Sequence, residues 1–127
     1  MTHGDNRSES LLTGDAAQRR QAIAGLAAQG DQQAASVLTD ALLHSHWPVC
    51  DELADALAQM CTDAARQGLM RALRGRRHHI RSAAVKALAR LGGAGLREVI
   101  AALANDPSYE VRQDVAEAIQ RLDRQGE

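Results

Sequence analysis

The sequence predicts an all-α protein, a short right-handed α-solenoid of helix pairs that repeat every 31 residues. Three observations support this prediction. Apolar residues recur at spacings of three and four, the period of a helix with one buried face, and no segment alternates as a strand does. Phe is absent and aromatic residues make up 2% of the 127 residues, so Ala, Leu, Val and Ile must form the core. Finally, the chain repeats itself internally.

The repeated segments are predicted to be the second helices of each pair. They begin at Trp47, His78 and Tyr109 and read WPVCDELADALAQM, HHIRSAAVKALARL and YEVRQDVAEAIQRL, without gaps at a spacing of 31. A weaker copy, AAQRRQAIAGLAAQ, begins at Ala16. Equivalent columns keep their character, and one of them holds Leu26, Leu57, Leu88 and Ile119.

Between these segments lie three more predicted helices, the first helices of each pair. They are DQQAASVLTDALLH, TDAARQGLMRALRG and GAGLREVIAALAND, each with apolar residues at helical spacing. Gly30–Asp31, Gly92–Gly93 and Asp106–Ser108 supply stop and start signals. Helix pairs of this length cannot bury their apolar faces alone, so we expect them to stack into a solenoid.

The repeats define one predicted domain over 15–124, with about 3.5 repeats. It follows a polar segment, 1–14, in which Asn6–Leu12 is a candidate remnant helix, and it precedes a short tail, 125–127. The N-terminus lacks the apolar stretch of a signal peptide, and no apolar run is long enough to span a bilayer. We therefore expect a cytoplasmic protein with no membrane partner.

The two cysteines, Cys50 and Cys61, lie eleven residues apart in one helical pattern. At the rise of a helix this separates them by about 16 Å. A disulfide needs Cα atoms within about 7 Å, so the two residues cannot pair within the helix. Both are expected to be buried as small apolar residues.

Two segments, DPSYEVRQDVAEAIQRL and HHIRSAAVKALARLG, resemble the short HEAT repeats named for phycobilisome lyases. The family pattern is a turn Asp, then Val-Arg, then a helix of small residues that ends in Leu-Gly. Here Ile80-Arg81 and Val111-Arg112 match the Val-Arg pair, and Asp106 matches the turn Asp. The resemblance covers 15–124 and implies a HEAT fold, whose roles are mostly protein–protein contacts.

The chain also departs from the family pattern. The Val-Arg pair becomes Val49-Cys50, and Gly75 and His44 replace the turn Asp in two repeats. The resemblance therefore implies an incomplete ladder of Asp-to-Arg hydrogen bonds along the turns.

Basic residues concentrate in the middle of the chain. The segment 71–81, RALRGRRHHIR, holds five arginines and two histidines and no acid, whereas the net charge of the whole chain is −1. Residues one repeat apart are lateral neighbours in a solenoid. Asp55, Lys86 and Glu117 share a column and are predicted to form a ladder of alternating charge, and Asp40 shares one with Arg71. Such exposed pairs contribute only about 0–1 kcal/mol each.

The main functional prediction is a non-catalytic scaffold that binds another protein, through an acidic or mixed-charge segment. Aromatic and Arg side chains are the usual anchors of protein interfaces. The predicted contacts are a rim and a groove between the second helices: Trp47, Arg74, Arg76, Arg77, His78 and Tyr109 on the rim, and Asp51, Asp55, Lys86, Arg90, Glu117 and Arg121 in the groove.

The alternative is a nucleic-acid-binding accessory protein, although its net charge is low for one. Phosphates would be held by the basic block, through Arg74, Arg76, Arg77, Lys86 and Arg90.

The sequence gives no positive signal for an enzyme, a cofactor or a metal. It contains no phosphate loop and no activated nucleophile. Zinc ligands usually show tighter spacing than the rim histidines do. Some HEAT-repeat enzymes hold two irons with repeated His-Glu pairs, and the sequence has no such pair. A lyase-type or metal-dependent enzyme subunit is kept as a remote alternative. The residues that could bind a metal ion in that case are His44, His46, His78, His79 and Cys50.

Self-association is predicted to be weak. If no helix precedes the repeats, the N-terminal end leaves apolar residues partly exposed, and these could support a homodimer. Otherwise the protein is expected to be a monomer. The residues concerned are Ala16, Ile23, Ala24 and Ala27.

Overall fold

The structure, a computed structural model, describes residues 11–12 and 15–125. This part of the chain forms seven helices and no strand. The helices are α1 (Ala16–Gln29), α2 (Gln32–His44), α3 (Val49–Met60), α4 (Asp63–Ala72), α5 (His78–Leu91), α6 (Leu96–Ala101) and α7 (Tyr109–Gln125).

The helices pack in two layers. In one layer, α1, α3, α5 and α7 follow one another, and each contacts the next. In the other layer α2 packs on α4, and α2, α4 and α6 each contact the helix that follows them in the chain. The predicted all-α solenoid of stacked helix pairs is therefore confirmed.

Local sequence signals set most helix ends. The Asp15 and Asp31 carboxylates accept backbone N–H groups of the first turns of α1 and α2, each at 2.8 Å, and Thr62 does the same for α4 at 3.1 Å. Gly30, with φ of 67°, ends α1 in the left-handed conformation that glycine adopts most readily.

The core consists of the predicted residue types. Its largest fully buried side chains, among the described residues, are all Leu, Ile or Val, and alanines fill the space between them. Small side chains let the helices approach closely. Gly68 of α4 faces the buried Thr39 of α2, and a Cβ on residue 68 would clash with the threonine side chain.

The helix α6 is shorter than the sequence predicts. Its segment begins with Gly93 and Gly95, which have φ of 116° and 83°, and the helix covers only six residues from Leu96. Leu103 and Ala104 lie in turns after it. As a result, α6 does not pack closely against α4, its neighbour in the same layer.

The two cysteines have different environments. Cys50 is buried, as predicted, but the prediction is wrong for Cys61, which is exposed. Cys61 ends α3 as its C-cap with φ of 54°, so its side chain lies beyond the buried helix face. Both are free thiols, and neither takes part in a disulfide.

Near the N-terminus, Leu11 is buried against the core and Ile23 is buried as well. Of the four residues expected to be partly exposed if no helix precedes the repeats, Ile23 is buried, Ala27 is half-buried, and Ala16 and Ala24 are exposed. Most of the candidate remnant helix, 6–10, lies outside the described residues, and Leu11 and Leu12 form a turn. No helix in the described part of the chain is both long enough and apolar enough to cross a membrane.

Candidate metal centre on the solenoid rim

Two histidines and a glutamate meet where the first turns of α5 and α7 lie side by side. His78 and His79 are the first two residues of α5, and Glu110 is the second residue of α7. Glu110 follows His79 by one repeat of 31 residues, so the stacking of the repeats itself makes the two lateral neighbours. The three residues are called the His–His–Glu cluster below.

The ligand atoms of the cluster all lie within 4.8 Å of one another. Glu110 Oε1 is 3.2 Å from His79 Nδ1 and 3.8 Å from His78 Nε2. The three side chains are between 35% and 50% exposed, which leaves one side of the group open to a ligand or a substrate. Two imidazoles and a carboxylate form a donor set that suits divalent transition metals.

A clamp of hydrogen bonds fixes the turns on either side of the cluster. Arg81 Nε and Nη2 donate to the two carboxylate oxygens of Asp106 at 2.8 and 3.0 Å, and Arg81 Nη1 donates to the carbonyl of Gly75 at 2.9 Å. Arg112 donates to the Asp106 carbonyl at 2.7 Å. The hydrogen bond from Arg81 lowers the pKa of Asp106, although burial acts in the opposite direction. The Asp-to-Arg contact of the family pattern is thus present in this repeat.

Aromatic rings cover part of the cluster. The Trp47 ring lies 6.1 Å from the His79 ring, and the two histidine rings are 3.9 Å apart, measured between centroids. Trp47 therefore approaches His79 rather than His78, with which it shares a repeat column. Tyr109 is 66% exposed, and the Arg112 guanidinium lies 5.7 Å from its ring centroid.

A cavity of about 440 Å³ opens at the cluster, and three arginines and both histidines contribute to its lining. Arg77 donates to the carbonyl of Ser45 at 3.1 Å, and Arg81 belongs to the clamp. The Arg76 side chain has no acceptor among the described residues. The cavity is lined by Arg76, Arg77, His78, His79, Arg81, Pro107 and Ser108.

Cys50 contacts the backbone of His79, and its Sγ is not one of the ligand atoms that converge in the cluster. Its Sγ lies 3.6 Å from the carbonyl oxygen of His79, to which it donates, and the residue is fully buried. Burial, with a smaller contribution from Asp51, raises the pKa of the Cys50 thiol to about 11. The thiol therefore remains protonated near neutral pH.

The predicted groove residues form a separate surface on α3, α5 and α7. Lys86 Nζ lies 3.5 Å from Asp51 Oδ1, and Arg90 forms an ion pair with Asp55. The predicted ladder of Asp55, Lys86 and Glu117 is thus displaced by one turn. Helical side chains lean toward the N-terminus, so a long cationic side chain contacts the acid one turn earlier on the neighbouring helix.

The other predicted pair is also different. Asp40 contacts His44 of its own helix, and no ion pair of Arg71 occurs among the described residues. Both residues are exposed, so neither needs the other to remain solvated.

The structure divides the predicted partner-binding residues among three places. Trp47, Arg76, Arg77, His78 and Tyr109 surround the rim cavity or the cluster. Arg74 lies apart from them, in a cleft between α4 and α6. The remaining residues lie along the groove, where Lys86, Arg90, Glu117 and Arg121 line a common cavity of about 320 Å³ and Asp51 and Asp55 are the ion-pair partners.

Glu110 is the residue that sequence reasoning missed as a candidate ligand. His79 and Glu110 are neither an adjacent His-Glu pair nor close in sequence, so neither of these signals identifies them. The available signal was their shared repeat column, 31 residues apart. In a stacked repeat protein, residues at this separation can meet as closely as sequence neighbours.

Comparisons with known proteins agree on the fold. Residues 9–89 match the family described as HEAT repeats. No curated protein matches the chain. Human deoxyhypusine hydroxylase in complex with glycerol is similar in structure, with a TM-score of 0.72 and 23% sequence identity over 98% of this chain. The chain spans 44% of the length of that protein, and a likeness at this identity shows the fold alone.

The predictions of a non-catalytic scaffold and of a protein that is not an enzyme are wrong. The finding that overturns them is that the chain shares its fold, over 98% of its length, with an enzyme. The sequence has no adjacent His-Glu pair, but neighbouring repeats bring His79 and Glu110 together in the structure. A protein partner, nucleic-acid binding and a weak dimer stay predictions.

Proposed function

The chain belongs to the HEAT-repeat family, and we propose that within this fold it is the metal-binding part of an enzyme, with a divalent metal held by His78, His79 and Glu110. The observation that carries the proposal is the convergence of three ligand atoms within 4.8 Å. The three residues come from two neighbouring repeats, so the stacking of the solenoid supports the site.

The donor set limits which metal ions the site could bind. Two histidines and one carboxylate with open positions are typical of Fe²⁺ oxygenases, and the same donors also form catalytic Zn²⁺ sites. Such ions need ligand atoms at about 2.0–2.2 Å. His78, His79 and Glu110 are partly exposed and lie in the first turns of their helices, so metal binding would require the three side chains to turn toward a shared ion. We favour Fe²⁺, because the similar solved structure is a hydroxylase.

When bound, Fe²⁺ would supply the activation of oxygen for a hydroxylation, with an external two-electron reductant that converts the second oxygen atom to water. The chain's own residues would bind and orient the substrate. The cavity at the cluster is lined in part by Arg76 and Arg77. The Arg76 side chain has no acceptor among the described residues, so it could pair with a carboxylate or phosphate group of a substrate. A reducing cytoplasmic setting is part of the proposal, since it would preserve the free thiols of Cys50 and Cys61.

The test is a metal titration of the purified protein after removal of bound metal with a chelator. Fe²⁺ under anaerobic conditions, Zn²⁺ and Co²⁺ would be titrated by calorimetry, and the visible absorption of bound Co²⁺ would report the coordination. We expect one equivalent to bind at micromolar concentration. His79→Ala and Glu110→Gln should each weaken binding by about 10-fold or more, since each removes one of three ligands.

The matched control is a variant of two other histidines on the rim, His44→Ala with His46→Ala, which should bind metal as the wild type does. The proposal is wrong if no ion binds stoichiometrically, or if the control loses as much affinity as Glu110→Gln. Binding of Zn²⁺ without Fe²⁺ would replace hydroxylation by a hydrolytic reaction. If Fe²⁺ binds, oxygen uptake by the loaded protein should exceed that of loaded Glu110→Gln.

A further inference from the structure

A second cavity lies in the opposite layer of the solenoid, between α4 and α6. The six-residue α6 packs less closely on α4 than α2 does in the same layer. The cleft that remains has a volume of about 500 Å³. This volume is in the range of small-molecule sites, which is roughly 300–1,000 Å³.

Two facing helix surfaces form the floor of the cleft. Met70 and Leu73 come from α4 and the turn after it, and Val99 and Leu103 come from α6 and the turn after it. Leu73 is buried, and the other three are half-buried, so the floor is apolar yet accessible. Burial of apolar ligand surface against this floor would contribute about 25 cal/mol of binding free energy per Å².

Two arginines form one edge of the cleft. Arg71 lies near the end of α4 and Arg74 lies in the turn after it, and both are exposed and line the cleft. Neither guanidinium group has a hydrogen bond or an ion pair with any residue of 11–12 or 15–125. No acidic residue lines the cleft, so nothing there answers their charge. Both guanidinium groups can therefore turn toward one anion.

We propose that this cleft binds a small amphipathic anion, a carboxylate with an apolar chain or ring. The carboxylate would lie between Arg71 and Arg74, and the apolar body would lie on Met70, Leu73, Val99 and Leu103. The charge of the edge and the apolar character of the floor select this class over neutral apolar molecules and over cations. The site is independent of the proposed metal centre, none of whose residues lines this cleft.

The test uses decanoate as the probe, below its micelle concentration, with the full chain. Calorimetry should show saturable binding of one molecule per chain, and NMR shifts should concentrate on Met70, Val99 and Leu103. Acetate, which lacks the chain, and decyltrimethylammonium, which reverses the charge, should bind at least about 10-fold more weakly. Arg71→Gln with Arg74→Gln should lower the affinity for decanoate by about 10-fold or more, because both charge-assisted contacts are lost.

Two further variants make the test decisive. Arg121→Gln with Arg124→Gln is the matched control, since it removes two exposed arginines at the same spacing on α7 and should not change binding. Ala102→Trp keeps both arginines and places a large ring in the cleft from an exposed position, so the variant should fold normally and lose binding.

The proposal is overturned if decanoate does not saturate, if decyltrimethylammonium binds as well, or if Ala102→Trp binds as the wild type does. A dimer in sedimentation equilibrium that Ala102→Trp disrupts would assign the cleft to a second copy of the chain, and would also overturn it.

Discussion

Arg81 and Asp106 join two neighbouring repeats through a double hydrogen bond, with Nε–Oδ2 at 2.8 Å and Nη2–Oδ1 at 3.0 Å. The Asp106 side chain is only 4% exposed, and Arg81 also donates to the carbonyls of Gly75 and Arg76. One guanidinium thus fixes the turn before α5 and the turn before α7. His79 and Glu110 lie in the first turns of the helices that follow, so the clamp positions the candidate metal ligands.

Arg81→Ala should lower the free energy of unfolding by about 3 kcal/mol, because it leaves the buried carboxylate of Asp106 without its charged partner. Urea unfolding followed by circular dichroism measures the change. The comparison is Arg97→Ala, which removes an exposed ion pair with Asp123 at 2.7 Å and should change stability little. Equal losses in the two variants would show that the clamp carries no special stabilisation.

Asp106 also makes stability depend on pH. The hydrogen bond from Arg81 holds the pKa of Asp106 in the folded state below its ordinary value of 3.8. Its contribution is therefore complete above 3.8, and it is lost as the pH falls from there through the lower folded pKa. Asp106→Asn should be less stable than the wild type at pH 7 and at pH 5, and the difference should shrink by pH 3. Urea unfolding at these three pH values tests this, and a difference that grows toward acid would contradict it.

Gly68 is predicted to be essential for the packing of α2 on α4. A Cβ at this position would clash with the buried side chain of Thr39, so Gly68→Ala should cost about 1–3 kcal/mol despite the better helix propensity of alanine. Thr39→Ala should relieve most of the loss when it is combined with Gly68→Ala. Gly25→Ala is the control, since nothing lies within 4 Å of its Cβ position in α1, and it should not destabilise. Thermal unfolding of Gly68→Ala, Thr39→Ala, the double variant and Gly25→Ala, each compared with the wild type, measures these changes in stability.

The two thiols should differ strongly in reactivity. Cys61 is exposed, whereas Cys50 is buried and has a pKa of about 11, so only about one Cys50 in a thousand is a thiolate at pH 8. Iodoacetamide should modify one thiol per native chain, two per chain in urea, and almost none in native Cys61→Ser. Mass spectrometry counts the adducts. Rapid modification of Cys50 in the folded protein would mean that α3 and α5 open readily.

Some of the site could have been predicted from the repeat alone. The column that contains Trp47, His78 and Tyr109 was recognised, and so was the unusual charge of the turn at Arg76 and Arg77. The groove contacts were assigned to the right helices but to the wrong turn, because a repeat column says which residues are neighbours and not how far a lysine or arginine side chain leans. Lys86 therefore contacts Asp51 where Asp55 was expected.

The sequence by itself determined the helices, their pairing and the residue types of the core. These follow from local causes: the period of the apolar residues, the capping residues Asp15, Asp31 and Thr62, and the glycine that ends α1. Only the tertiary structure decided that His78, His79 and Glu110 converge, that Arg81 holds Asp106, and that a cleft separates α4 from α6. The first two depend on the lateral offset between stacked repeats, which is set by packing between distant parts of the chain. The cleft depends on the six-residue length of α6, which the apolar period over 93–106 does not reveal.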